Sequence, residues 1–188
     1  MSKYFPLDIK DFVNNRGITK LDTVTEGELS FTGFSLPYEE FDFNKKYYHR
    51  NIPFQFVYHQ SGDNIELEGQ TITFEPICIS KIYIIGVSTN GSLSDDIFIH
   101  SDNKVPIKRK VCLSDLIENK PFFSDELAFE FKYLHSQVGI NNFYQPKLWH
   151  YCIELDQPQL SNGISFEDNP SMHIFSITFE LEGETSVQ

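Results

Sequence analysis

Six histidines and a pair of adjacent glutamates are the residues to weigh first for chemistry. The histidines are His49, His59, His100, His135, His150 and His173. None forms a His-x-His pair or stands with a second histidine at metal-ligand spacing, so any histidine metal centre must be assembled between strands. His135 and His150 fall on separate predicted strands and are candidates to converge. Glu39 and Glu40 are neighbours, so an extended backbone sends them to opposite sides. A glycosidase needs two carboxylates facing each other across one bond. The chain has no Gly-x-Ser-x-Gly elbow. Gly86 to Gly91 runs from strand to turn with no Lys-Ser/Thr behind it, which excludes a phosphate loop.

The aromatic residues suit a different chemistry. A pyranose lays its apolar face on an aromatic ring while its hydroxyls seek planar polar partners. Trp149, Tyr151, Tyr133 and Tyr144 are the candidate rings, and Lys147 and His150 flank Trp149. The expected ligand contacts are Trp149, His150, His135, Tyr38 and Glu39. Tyr47, Tyr48, His49 and Arg50 form a second candidate patch. The competing reading of Trp149 is a core residue of the fold, and that of Glu39 or Glu40 is support for its own loop. His173, beside Asn169-Pro170, is expected to fix that turn by hydrogen bonding. Asp95-Asp96 and Asp22…Glu26 offer oxygens to a calcium ion, without the spacing of an EF-hand; solvated surface acids are the alternative.

Composition narrows the class. Aromatic residues make up 15% of the 188, and Phe alone occurs 18 times, which favours half-buried pleated surfaces and hence β structure. The net charge of −12 opposes binding to nucleic acid or to anionic lipid. The opening MSKYFPLDIKDF holds no apolar run of the length a signal peptide or membrane span needs. Cys78, Cys112 and Cys152 are odd in number and far apart, with no Cys-x-x-C. They are expected as buried free thiols in a reducing cytoplasm.

Periodicity supplies the elements. Ile52–His59, Asp95–His100, Val105–Leu113, Ala128–His135 and Leu148–Leu155 read as strands, with turns at Ser61–Asn64, Thr89–Ser92, Asp102–Lys104 and Asp156–Asn162. Ile77–Val87 is the most hydrophobic run and is predicted to be a central strand buried on both faces. Asp8–Val13 and Ser114–Ile117 are candidates for single helical turns, the second capped by Ser114. Within Ile164–Glu182 the closing strand is predicted to begin after Pro170, which cannot donate to a ladder. The expectation is all-β: a single β-sandwich domain over 1–188, with a core from 15 to 182 and terminal extensions at 1–14 and 183–188. Two antiparallel sheets of jelly-roll type suit the long connections at 116–127 and 136–145.

Four segments resemble the galactose-binding-like jelly-roll modules found with bacterial glycoside hydrolases. Phe31–Glu40, FTGFSLPYEE, is similar to the F-D-G-x-G-x-S-x-P-A-E-E-L-P signature of those modules. Asn64–Phe74, NIELEGQTITF, resembles N-x-x-x-x-x-G-Q-x-I-x-V, and Ile82–Gly91, IYIIGVSTNG, resembles L-x-L-L-G-x-A-x-N-G. Phe166–Thr178, FEDNPSMHIFSIT, is similar to L-P-D-N-P-x-x-H-I-F-A-L-T. Order and spacing agree over residues 15–182. The proline that follows Glu-Glu-Leu in the pattern is absent here, where the aromatic and charged stretch Phe41–Arg50 stands instead. The resemblance implies a galactose-binding-like fold and a structural calcium ion.

The expected function is a non-catalytic module binding a carbohydrate or another small polyhydroxylated ligand. The alternatives are a structural protein assembling as a homo-oligomer and a small jelly-roll enzyme.

Overall fold

A computed structural model describes residues 3–102 and 104–182. Its strands are β1 (Lys3–Pro6), β2 (Ile18–Thr19), β3 (Leu36–Pro37), β4 (Tyr47–His49), β5 (Ile52–Phe54), β6 (Ile65–Glu68) and β7 (Thr71–Ser88). They continue with β8 (Leu93–His100), β9 (Ile107–Leu113), β10 (Glu126–Glu130), β11 (Leu134–Ser136), β12 (Gly139–Asn141), β13 (Lys147–Phe166) and β14 (Asp168–Leu181). The helical pieces among the described residues are 3₁₀ turns at Lys10–Phe12, Val24–Glu26 and Tyr38–Glu40. Among the described residues no helix is long and apolar enough to cross a membrane.

One large antiparallel sheet runs in the order β1-β14-β7-β13-β8-β9, with β6 also on β14 and β10 also on β13. The opposing layer is built from short pairs: β2 with β3 in parallel, β11 with β12, and β4 with β5. A bridge between Ser35 and His135 joins the first two pairs. The expectation of an all-β sandwich is met, although the second layer is pieced together rather than continuous. β1 comes from the stretch read as a terminal extension and lies along β14, with Tyr4 opposite Glu180. Residues 183–188 and Asn103, part of the expected turn at 102–104, lie outside the described residues.

β7 is the central strand, paired with β14 on one side and β13 on the other, and Ile82 to Ser88 are buried without a break. That is the signature of a strand covered on both faces. β14 is similarly buried from Ser171 to Phe179. Its alternating Ser176 and Thr178 do not face water. The Ser176 hydroxyl donates to the Gln55 carbonyl and accepts from the Gln55 N–H, and Thr178 Oγ1 donates to the Pro53 carbonyl. Two hydroxyls thus satisfy the backbone of 53–55, which lies over β14 rather than joining its ladder. β5 ends at Phe54, short of the expected His59.

Several boundaries differ from the sequence reading. β14 starts at Asp168 and carries Pro170 within a break in its register on β6, between Asn169 and His173. An irregularity of this kind spares the proline its missing donor. The expected turn at Asp156–Asn162 is instead an irregularity inside one long strand, β13, between Glu154 and Gln159. Ala128–His135 divides into β10 and β11. Ser114 starts no helix: its Oγ donates to Asp125 Oδ1 at 2.9 Å and accepts from the Phe122 N–H at 2.7 Å.

His173 does not fix the turn at Asn169-Pro170. It is buried, with Nδ1 3.0 Å from Asn64 Oδ1. Asn64 Nδ2 donates to Asn15 Oδ1 and Asp63 Oδ1, so Asn64 Oδ1 accepts and the imidazole proton sits on Nδ1. Burial holds His173 down to about 3, leaving the ring neutral. As pH falls below 6.5 the unfolded chain takes a proton that the folded chain refuses, and stability is lost down to about pH 3. His173→Gln, which keeps a donor for Asn64, removes that loss. In urea unfolding at a series of pH values, the stability of the wild type relative to this variant is expected to fall by about 1.4 kcal/mol per pH unit below pH 6.5; parallel profiles would contradict it. A second prediction concerns Trp149, which is 1% exposed and donates Nε1–H to the Asp115 carbonyl at 3.0 Å. Trp149→Phe strands that carbonyl and is expected to cost about 1–3 kcal/mol in the same measurement.

Candidate functional site

The turn between β4 and β5 brings polar residues over the face of the large sheet. Arg50 and Asn51 have φ of 49° and 67°, the two positive values of a type I′ hairpin. Asparagine accepts this conformation readily. Arginine carries a strain cost that must be offset elsewhere. The turn swings Arg50 onto Glu126, with Nη2 2.8 Å from Oε1, and places His49 Nε2 3.3 Å from Oε2 of the same carboxylate.

β10 and β13 supply the rest. Glu126 pairs with His150, and His150 Nδ1 lies 4.0 Å from Glu126 Oε2. The rings of His49 and His150 are 4.5 Å apart between centroids. His150 also stacks on Tyr83 of β7 at 5.7 Å and meets the edge of Phe54 at 5.8 Å. Glu126, His150 and Tyr83, together with Arg50, Ile52, Ser124 and Cys152, line a cleft of about 230 Å³.

Burial sets the protonation of the site. It pushes His150 down to about 4; the nearby His49 adds to the shift and Glu126 opposes it. His150 is therefore a neutral imidazole, and its buried Nε2 has no hydrogen-bond partner among the described residues. Burial, then the hydrogen bond to Glu180 Oε2 at 2.5 Å, raises the Tyr83 hydroxyl. Burial likewise raises the Cys152 thiol, which is protonated and a poor nucleophile. A neutral base, a carboxylate and a guanidinium meet in one small space. They can accept and donate hydrogen bonds to a polar ligand, or together hold a cation.

Of the residues expected from sequence, His150 lines this cleft, as does Arg50 from the second patch, and His49 of that patch stands beside it against Glu126 and His150. The others do not. Trp149 points away from its neighbour His150, because side chains alternate across a strand, and it belongs to the core. His135 sits in the opposing layer, fully buried, with Nδ1 3.0 Å from Thr19 Oγ1. It does not converge with His150. Tyr38 is half-buried against Phe43 and Tyr58, with Lys20 Nζ 4.9 Å from its ring centre. Glu39 is exposed on the 3₁₀ turn. Glu40 turns toward Lys132, whose N–H it accepts at 3.4 Å, so the two glutamates form no facing pair. Tyr47 is packed against Phe56 and Phe129.

Of the candidate calcium ligands, Asp95 and Asp96 are otherwise engaged. Asp96 is held by Lys108 at 2.5 Å and Lys110 at 2.8 Å, and Asp95 accepts from Asn169 at 2.8 Å. Asp22 and Glu26 are exposed. Glu126, Tyr83, Ser124 and Cys152 were not anticipated. Glu126 lies in a stretch with no clear period, 77 residues from His49, and nothing local links the two. The available signal was on β13, where His150, Cys152 and Glu154 share one face.

A larger cleft of about 310 Å³ lies between the loop 27–33, Glu66, Thr89, Gln137 and Pro170. It holds no histidine or cation, and its Glu66 already accepts from Asn15 Nδ2 at 2.7 Å.

No curated protein matches this chain. A β-sandwich family model does match, along nearly its whole length, from residue 3 to residue 182. The chain is therefore a member of the AziU2-like beta-sandwich domain family.

Proposed function

We propose that this domain is a non-catalytic binding module for a small polyhydroxylated ligand of the carbohydrate class, held in the cleft beneath the β4–β5 turn. The observation that carries this reading is the convergence of His150, Glu126 and Arg50 on one cleft, with the neutral His150 ring turning Nδ1 toward Glu126 at 4.0 Å. An acceptor, a carboxylate and a guanidinium are the planar groups that sugar hydroxyls pair with. At about 230 Å³ the cleft is smaller than the space a drug-sized molecule needs, and it suits a single ring. The sequence resemblance to galactose-binding-like modules supports the same class of ligand. Three free cysteines, each partly exposed, are consistent with a cytoplasmic setting.

Ligand-observed NMR against a panel of monosaccharides, sugar acids and polyols tests the proposal. At least one member is expected to bind. Arg50→Asn keeps a residue that tolerates the turn, and it is expected to weaken binding by about tenfold or more, the loss of one charge-assisted hydrogen bond. A panel without binders, or affinity unchanged in Arg50→Asn and Glu126→Gln, would sink it. A panel member that is consumed rather than bound would replace a binding module with an enzyme.

A second reading, assembly as a homo-oligomer, has its own observation. Tyr144 packs on Phe34, and Gln137 covers Gly33, so two segments share one surface. Phe31, Val138 and Phe143, which these segments carry, are 82%, 98% and 94% exposed. Apolar residues grouped in this way mark interfaces. Light scattering is expected to give a mass above that of the monomer if this surface is occupied, and Phe143→Ser to return it to the monomer. A strictly monomeric protein at high concentration removes this reading.

A further inference from the structure

We propose that His49, Glu126 and His150 form a site for one first-row divalent transition-metal ion, with its open coordination positions turned to the cleft. Each of the three offers one ligand atom, and these atoms lie within 4.8 Å of one another. His49 Nε2 is 3.3 Å from Glu126 Oε2, and His150 Nδ1 is 4.0 Å from it. Metal–ligand bonds of about 2.0–2.2 Å place the atoms of a tetrahedral set about 3.4 Å apart. No pair of the three atoms exceeds that separation by more than about 1.4 Å.

The surroundings fit the role. The His150 side chain is 6% exposed, and its packing on Tyr83 and Phe54 fixes the ring with Nδ1 toward Glu126. Arg50 holds the other oxygen of Glu126, at 2.8 Å, and leaves Oε2 for the ion. Carboxylate oxygens supported in this way keep their orientation when they ligate. Two nitrogens and one oxygen favour zinc, cobalt or iron over calcium and magnesium, which seek oxygen alone. The ligands come from a hairpin and two strands of the large sheet. Three protein ligands leave positions for water or for the hydroxyl of a bound molecule. The ion site shares Glu126 and His150 with the binding function proposed above but requires no organic ligand.

Titration of the metal-stripped full chain tests it, with Zn²⁺ by calorimetry and Co²⁺ by visible absorption. One ion per chain is expected, with the ring resonances of His49 and His150 shifting together. H49A and E126Q alter partly exposed side chains and are expected to fold. Each should weaken Zn²⁺ binding by at least about tenfold, the loss already caused by removing a group that merely supports a ligand. His59→Ala removes an exposed imidazole elsewhere and should change nothing. Absence of a stoichiometric ion, wild-type affinity in H49A and E126Q, or displacement of Zn²⁺ by Ca²⁺ would each overturn the site. Zn²⁺ binding without any sugar or polyol ligand would defeat the binding module alone; ligand binding without Zn²⁺ would defeat the ion site alone.

Discussion

The arrangement of this domain depends on a buried polar knot around Asp63 and Asn64. Asp63 is fully enclosed and accepts from Asn64 Nδ2, from the backbone N–H groups of Gly17 and Ile18, and from Arg16. Burial pushes its carboxyl up to about 7, against the pull of these donors. Arg16 also donates to the His59 and Gln60 carbonyls. Asn64 ties in Asn15, and His173 reaches it from β14. A partly satisfied buried network is worse than an apolar core, so these groups must all be placed together. Gly17 permits the approach: a Cβ there would lie 2.5 Å from Asn64 Nδ2. Through this knot the N-terminal segment, the turn at 59–64 and the closing strand of the large sheet are fixed relative to one another.

The candidate site is supported from the same sheet but by a different device. Glu126, His150 and Tyr83 stand on β10, β13 and β7, whose register is set by long ladders. His49 and Arg50 are carried on a two-stranded hairpin and reach the sheet through a strained turn. The hairpin is kept down by the aromatic cluster of Tyr47, Phe56 and Phe129 and by the hydroxyls of β14 on the backbone of 53–55. Rigid ladders thus position the buried half of the site, and packing positions the outer half.

What the sequence disclosed follows from which signals are local. In the run at Ile77–Val87 the unbroken part, from Ile82, is the part covered on both faces, whereas Ser80 and Lys81 before it are half-buried. β13 looked broken because Asp156, Gln157 and Pro158 are polar or turn-forming, yet an irregularity absorbs them without ending the strand. The burial of the polar Ser176 and Thr178 is set by the backbone of 53–55 lying over them, which no local pattern announces. The site was half legible for the same reason. His49 and Arg50 stand out in a polar, aromatic stretch, and His150 stands out beside the lone tryptophan. Glu126 does not, because its partners are set by tertiary pairing. Trp149 drew attention as a sugar platform, but strand alternation puts it and His150 on opposite faces, so only one of the two reaches the cleft.

The spacing of the three cleft residues has a thermodynamic corollary. Glu126 is 77 positions from His49, and His150 is a further 24 along. In an open chain these groups have no reason to meet, so whatever occupies the cleft binds the native form alone. Its chemical potential then adds directly to the free energy of folding, by about RT ln(1 + [L]/Kd). A ligand or ion bound there as proposed above would therefore, through its abundance, help set how long each copy of the protein survives in its surroundings.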